Sequence, residues 1–146
     1  MSINALLILL AMWLQGAIAL TLLWVMGSIR LPLVAAGKIK IVDIALSREP
    51  WPDREKRVSN AFDNQFQLPV LFFVAAGVAL CLAPNLIEVV LAWLFVLSRV
   101  AHAAIHARTN NVVHRFWAYA SGFAVLVIIW LDLLVRLVIA GTHVSA

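Results

Sequence analysis

A chain of 146 residues that is 64% hydrophobic and only 12% charged, with a mean hydropathy of +1.01, departs far from the roughly half-apolar, quarter-charged mix of a soluble domain. It reads as an all-α, multi-pass integral membrane protein with one domain over residues 1–146. The net charge of +4 does not point to nucleic acid, because the basic residues sit beside apolar segments, where they set orientation and meet anionic lipid or ligands.

Four apolar segments follow one another. The first, residues 5–29, has no charged side chain and can cross a hydrocarbon core of about 30 Å with some tilt. It lacks a basic leader and is longer than a signal-peptide core, so it is expected to stay in the mature protein. The second helix is predicted to start at Asp53, where Pro50 and Pro52 act as breakers and Glu55 complements the first turn, and to run to Ala83 with a kink at Pro69. A tight turn, "APNL", leads to a third helix over residues 87–107. The polar connector "RTNNVVH" then leads to a fourth over residues 115–140. Cys81 lies in an apolar run and is expected to be a buried, inert thiol; a single cysteine leaves no intrachain disulfide. The six Trp residues read as interface anchors or packing.

Basic residues are placed unevenly. Seven of the eleven Lys and Arg lie between residues 30 and 57, three between 99 and 115, and one at 136. The positive-inside rule therefore puts the connectors after helices one and three in the cytoplasm, and any polar site at those helix ends opens to that side.

At 100° per residue, Arg57, Asn60, Asn64 and Gln67 form one stripe about 80° wide on the second helix. Arg99, His102, His106 and Asn110 form a comparable stripe on the third. Arg115 and Tyr119 stand one turn apart at the start of the fourth. Asp63 falls off its stripe and is expected to pair with Lys56 or Arg57, Arg108 to reach the interface or a phospholipid phosphate, and Asp132 to pair with Arg136 one turn on. In any one of these positions Asn or Gln serves as interhelical glue and Arg snorkels. Two coherent stripes that run inward for two to three turns point instead to a polar site. A metal or haem reading of His102 and His106 is set aside, since no carboxylate or further His shares either stripe and Arg99 repels a cation. No metal is expected.

An Arg-rich pocket with Asn, Gln and Tyr suits a small anion bearing carboxylates and amides, and a cation beside a thiol favours its thiolate. The string "RVSNAFDNQFQLPVLFF" resembles the helix-two signature of the MAPEG family, membrane-associated proteins of eicosanoid and glutathione metabolism, here a bacterial-type member. In that signature an Arg precedes an Asn, with a Glu and a Pro following. Helix three is similar to the prostaglandin E synthase branch, which places Arg, His, Tyr and a second Arg at the spacing that Arg99, His102, His106 and Arg115 have here. Two positions differ: His106 replaces the Tyr, and Gln67 stands where the family has Glu, unless the frame is Asn60 with Asp63.

The resemblance covers all four helices and implies a homotrimer of four-helix bundles in a bacterial inner membrane, with glutathione as co-substrate bound between subunits on the cytoplasmic side. Matching positions imply that Arg57, Asn64, Gln67, Arg99, His102 and His106 bind glutathione, with Asn60 and Tyr119 adding to the polar set. Arg115 would stabilise the thiolate, and Arg30 matches an Arg that some members place near the reacting centre. The implied function is a transferase or peroxidase-like enzyme acting on a lipophilic small molecule, an electrophile arriving from the bilayer. The alternative is a non-catalytic lipid- or glutathione-binding protein of the same fold. A small exporter is disfavoured because the first helix carries no ionisable residue.

Overall fold

The computed structural model describes residues 1–144. Five helices follow in order: α1 Ile3–Ala35, α2 Asp53–Asp63, α3 Leu68–Cys81, α4 Leu86–Arg108 and α5 Val112–Val144. Because α2 and α3 together make one interrupted span, four helical segments among the described residues are long and apolar enough to cross a membrane. The chain is a four-span helical membrane bundle. Its outer surface carries large exposed side chains such as Trp13, Trp24, Leu94, Phe123 and Leu134, which suit hydrocarbon.

Small residues bring the spans together. Ile8 and Ala11 of α1 meet Phe72, Ala75 and Ala79 of α3, Ala92 and Phe95 of α4, and Leu126 and Leu133 of α5 in one buried cluster. Lipid tails are as apolar as leucine, so this core gains its stability from close contact, which alanine allows, more than from exclusion of water. Phe72 and Phe95 stack at 4.6 Å between ring centroids, filling the space the alanines leave.

The second span corrects the sequence expectation. Instead of one helix kinked at Pro69, α2 stops at Asp63, Asn64–Phe66 form a single 3-10 turn, and α3 restarts at Leu68. Proline has no N–H to bond the carbonyl four residues back, that of Gln65, and its ring clashes there, but it fits the first turn of a helix, so the chain breaks ahead of Pro69 and uses it to open α3. Gln67, at φ −106° and ψ −107°, carries the break. The first helix also runs past residue 29, with Pro32 inside its last turn, and the fourth starts earlier than residue 115, at Val112.

Three further expectations change. Cys81 is exposed, not buried: its apolar neighbours mark membrane depth, and the last residue of α3 turns outward. Asp63 pairs with Arg48 of the α1–α2 connector at 2.7 Å, whereas Lys56 lies 3.7 Å from Glu49. Arg136 pairs with Glu88 across the bundle at 2.5 Å and donates to the Leu82 carbonyl, while Asp132 Oδ2 is buried without a partner. Glu88 is already fixed, because it and Asn85 form a capping box at the start of α4. A rigid buried carboxylate beside two turn carbonyls is a better seat for a guanidinium than a carboxylate one turn away on its own helix.

At the opposite end, Arg30 donates to the fully buried Glu55 at 2.7 Å and lies over the Trp51 ring at 5.0 Å, tying α1 to α2. Midway, Gln15 of α1 donates to Gln65 at 2.9 Å in a buried contact that sequence pattern did not reveal.

Candidate functional site

A cleft of about 510 Å³ opens at the end of the bundle that carries the basic connectors. Its size is that of a site for a small organic molecule. The second span supplies Asn60, Asp63, Asn64 and Gln67, α4 supplies His102 and His106, and α5 supplies Val112, Arg115, Phe116 and Tyr119. Asn64 Nδ2 donates to the Asn60 carbonyl at 2.9 Å. His102 packs against both His106 and Tyr119, with ring centroids 5.6 and 5.7 Å apart.

Arg115 is held at the mouth. Its Nη1 lies 2.6 Å from Asn110 Oδ1 and 3.0 Å from His106 Nε2. Arg99 sits behind the lining, almost fully buried, and donates to the Ala118 and Tyr119 carbonyls at 2.7 and 3.2 Å. It also lies 5.2 Å from the Tyr119 ring centroid, a cation–π approach. Gly122 makes this possible: a Cβ there would collide with Ser98 Oγ and the Arg99 guanidinium. With neutral acceptors as its bonded partners, two backbone carbonyls and Ser98 Oγ, Arg99 leaves a positive potential under the cleft that favours an anion.

The structure thus gathers Asn60, Asn64, Gln67, His102, His106, Arg115 and Tyr119 around one cavity. Arg30, Arg57 and Arg99 are not among the lining side chains. Arg30 is engaged by Glu55, and Arg57 is half-buried with its Nε lacking a hydrogen-bond partner. Asp63 falls off the stripe by phase, yet it lines the cleft, because it stands three residues after Asn60 in α2 and so neighbours it on the helix surface. Val112 and Phe116 carry no polar signal in the sequence, and Val112 lies in what reads there as a connector. Among the described residues no group of three or more His, Cys, Asp or Glu side chains is placed to hold a metal.

A family model described as the MAPEG family matches residues 6–135, nearly the whole chain. The chain belongs to the MAPEG family. No curated protein and no solved structure gave a match. Every residue that lines the cleft, from Asn60 to Tyr119, lies within the matched range. Membership supports a membrane function related to glutathione, of transferase or peroxidase type in general.

Proposed function

We propose that this MAPEG protein is a glutathione-dependent transferase or peroxidase-like enzyme that acts on a lipophilic electrophile taken from the bilayer. The observation that carries this reading is an apolar groove of about 410 Å³ between α3 and α5 whose lining starts where that of the cleft stops. The groove begins with Leu68, next to Gln67, and Phe123, one turn beyond Tyr119, and continues past Leu126, Trp130 and Leu134. A hydrophilic thiol from the aqueous side and an apolar acceptor from the lipid side would therefore meet near Tyr119 and Arg115.

In this reading Asn60, Asn64, Gln67 and His102 bind the amides and carboxylates of glutathione, and Arg57 and Arg99 add positive potential from outside the lining. Arg115 holds the sulfur as thiolate. The thiol proton leaves to water, the sulfur lone pair forms a bond to the electrophilic carbon, and the leaving group departs with its bonding pair. A homotrimer would close the open side of the cleft with a neighbouring subunit.

Calorimetry on the detergent-purified protein with glutathione, together with turnover of a generic aryl halide and native mass spectrometry of the same preparation, tests the reading. Saturable binding with turnover and a trimeric mass is the expected result. Binding without turnover would move the reading to a non-catalytic glutathione- or lipid-binding member, which the amide of Gln67 in place of a family carboxylate favours. Absence of glutathione binding removes the enzymatic reading and leaves only a lipid-binding one.

The cleft is further proposed to face the cytoplasm of a bacterial inner membrane, on the strength of the basic connectors around it. With Cys81 replaced by Ala, Ser2→Cys should react with an impermeant maleimide applied to intact cells and Ser47→Cys should not. The reverse pattern would invert the topology.

A further inference from the structure

We infer that Asn110 is a positioning residue for Arg115, and that His106 is its second support. Taken with the proposed function, on which its catalytic meaning rests, this assigns the corner between α4 and α5 the task of aiming the guanidinium at the sulfur.

The corner is built for two tasks at once. Helix α4 ends as the Asn110 N–H bonds the Ile105 carbonyl at 2.7 Å, and Asn110 takes φ +51°, the left-handed conformation that glycine and asparagine accept most readily at helix C-termini. That conformation leaves Oδ1 of Asn110 within 2.6 Å of Arg115 Nη1. The adjacent Asn111 does something different: its Oδ1 accepts from the His114 N–H at 3.1 Å and caps the start of α5. Two neighbouring asparagines thus divide the work, one shaping a helix end and the other gripping a side chain.

The His106 contact has a fixed sense. A guanidinium has donors only, so His106 Nε2 must present its lone pair to Arg115, and the proton of the neutral ring resides on Nδ1. Nδ1 is buried and has no hydrogen-bond partner within the chain. His106 is therefore neutral, in one tautomer, and oriented by the arginine it supports. With Nη1 taken by these two acceptors, Nη2 and Nε of Arg115 remain as the donors a thiolate would meet. The other titratable groups facing this centre are Asp63 from α2, His102 from α4 and Tyr119 from α5, with Arg99 behind them.

Asn110→Gly separates the two tasks, since glycine accepts the positive φ but offers no acceptor. Its fold and glutathione affinity should match the parent within about threefold, while turnover falls about tenfold and the pH at which bound glutathione becomes thiolate moves upward, the signature of an interaction felt mainly in the reaction. Asn111→Gly, which removes only the cap of α5, should lower thermal stability without moving that pH. In the ligand-free parent, nitrogen NMR of ring-labelled histidines should show His106 protonated on Nδ1 with Nε2 accepting a hydrogen bond. An unchanged thiolate pH and turnover in Asn110→Gly would overturn the inference, as would a parent His106 protonated on Nε2. If the parent forms no glutathione thiolate at all, the proposed function fails, and the ring nitrogens still decide whether Arg115 has this support.

Discussion

Replacing Arg115 by Ala is expected to lower turnover of an aryl halide by about 10²-fold or more while weakening glutathione binding far less. A free thiol titrates near about 8.5, so only a few per cent is ionised at neutral pH. A guanidinium stays charged throughout and, in a poorly hydrated cleft, favours the thiolate strongly. The polar residues of the second span and α4 would still hold the peptide part of glutathione when Arg115 is gone, which is why affinity survives. The sign follows directly: the parent should form thiolate at lower pH than Arg115→Ala, so the two rate profiles should converge as pH rises past the thiol's ordinary range. Thiolate absorbance in the ultraviolet, titrated for both proteins, checks this. Equal thiolate fractions at neutral pH would remove Arg115 from this role.

The largest expected effect on stability lies at the other end of the bundle. Glu88 is 2% exposed, accepts from Arg136 and from the Asn85 N–H at 2.7 Å, and is capped in return by Asn85. Glu88→Ala removes the reciprocal half of the capping box and leaves Arg136 without its carboxylate. Losing one member of a buried ion pair costs about 3 kcal/mol and a helix cap about 1 kcal/mol, so the bundle should unfold at a clearly lower temperature in detergent. Asp132→Asn is the contrasting variant: with Oδ2 buried and unpartnered, neutralising Asp132 should leave stability within about 1 kcal/mol of the parent. Equal losses in the two variants would mean that Asp132 shares the anchoring of Arg136 with Glu88.

The four spans were legible because transfer to hydrocarbon is a property of each segment by itself, and length and hydropathy measure it directly. The α4 stripe was legible for a related reason: Arg99 to His106 is uninterrupted helix, so a constant rotation per residue predicts shared direction, although Arg99 ends under the cleft and not in its lining. On the second span the same arithmetic groups Asn60, Asn64 and Gln67, which do line the cleft, but it takes the span as one helix and misses the 3-10 turn and the break at Gln67. Its stripe is also too narrow, since Asp63, three residues after Asn60 in α2, joins the lining. Partners across the bundle were not legible at all. The Gln15–Gln65 contact and the choice of Glu88 by Arg136 depend on which helices touch and at what height, and one-helix periodicity contains neither. Asn110 falls on the α4 stripe by phase, but its grip on Arg115 depends on a left-handed corner that an Asn-Asn pair in a polar connector only hints at.

Two arginine–glutamate pairs, Arg30 with Glu55 and Arg136 with Glu88, stand at opposite ends of the bundle. The first fixes the height of α1 against α2, and the second fixes α4 against α5. Helices pinned in this way cannot slide along one another to match a thinner or thicker bilayer without parting a buried carboxylate from its cation. The lipid must do the adapting, by thinning or swelling around the protein at a fraction of a kcal/mol per Å of mismatch. Membrane thickness then becomes a variable the surrounding lipid absorbs, and the cleft at the mouth keeps its shape from one bilayer to the next.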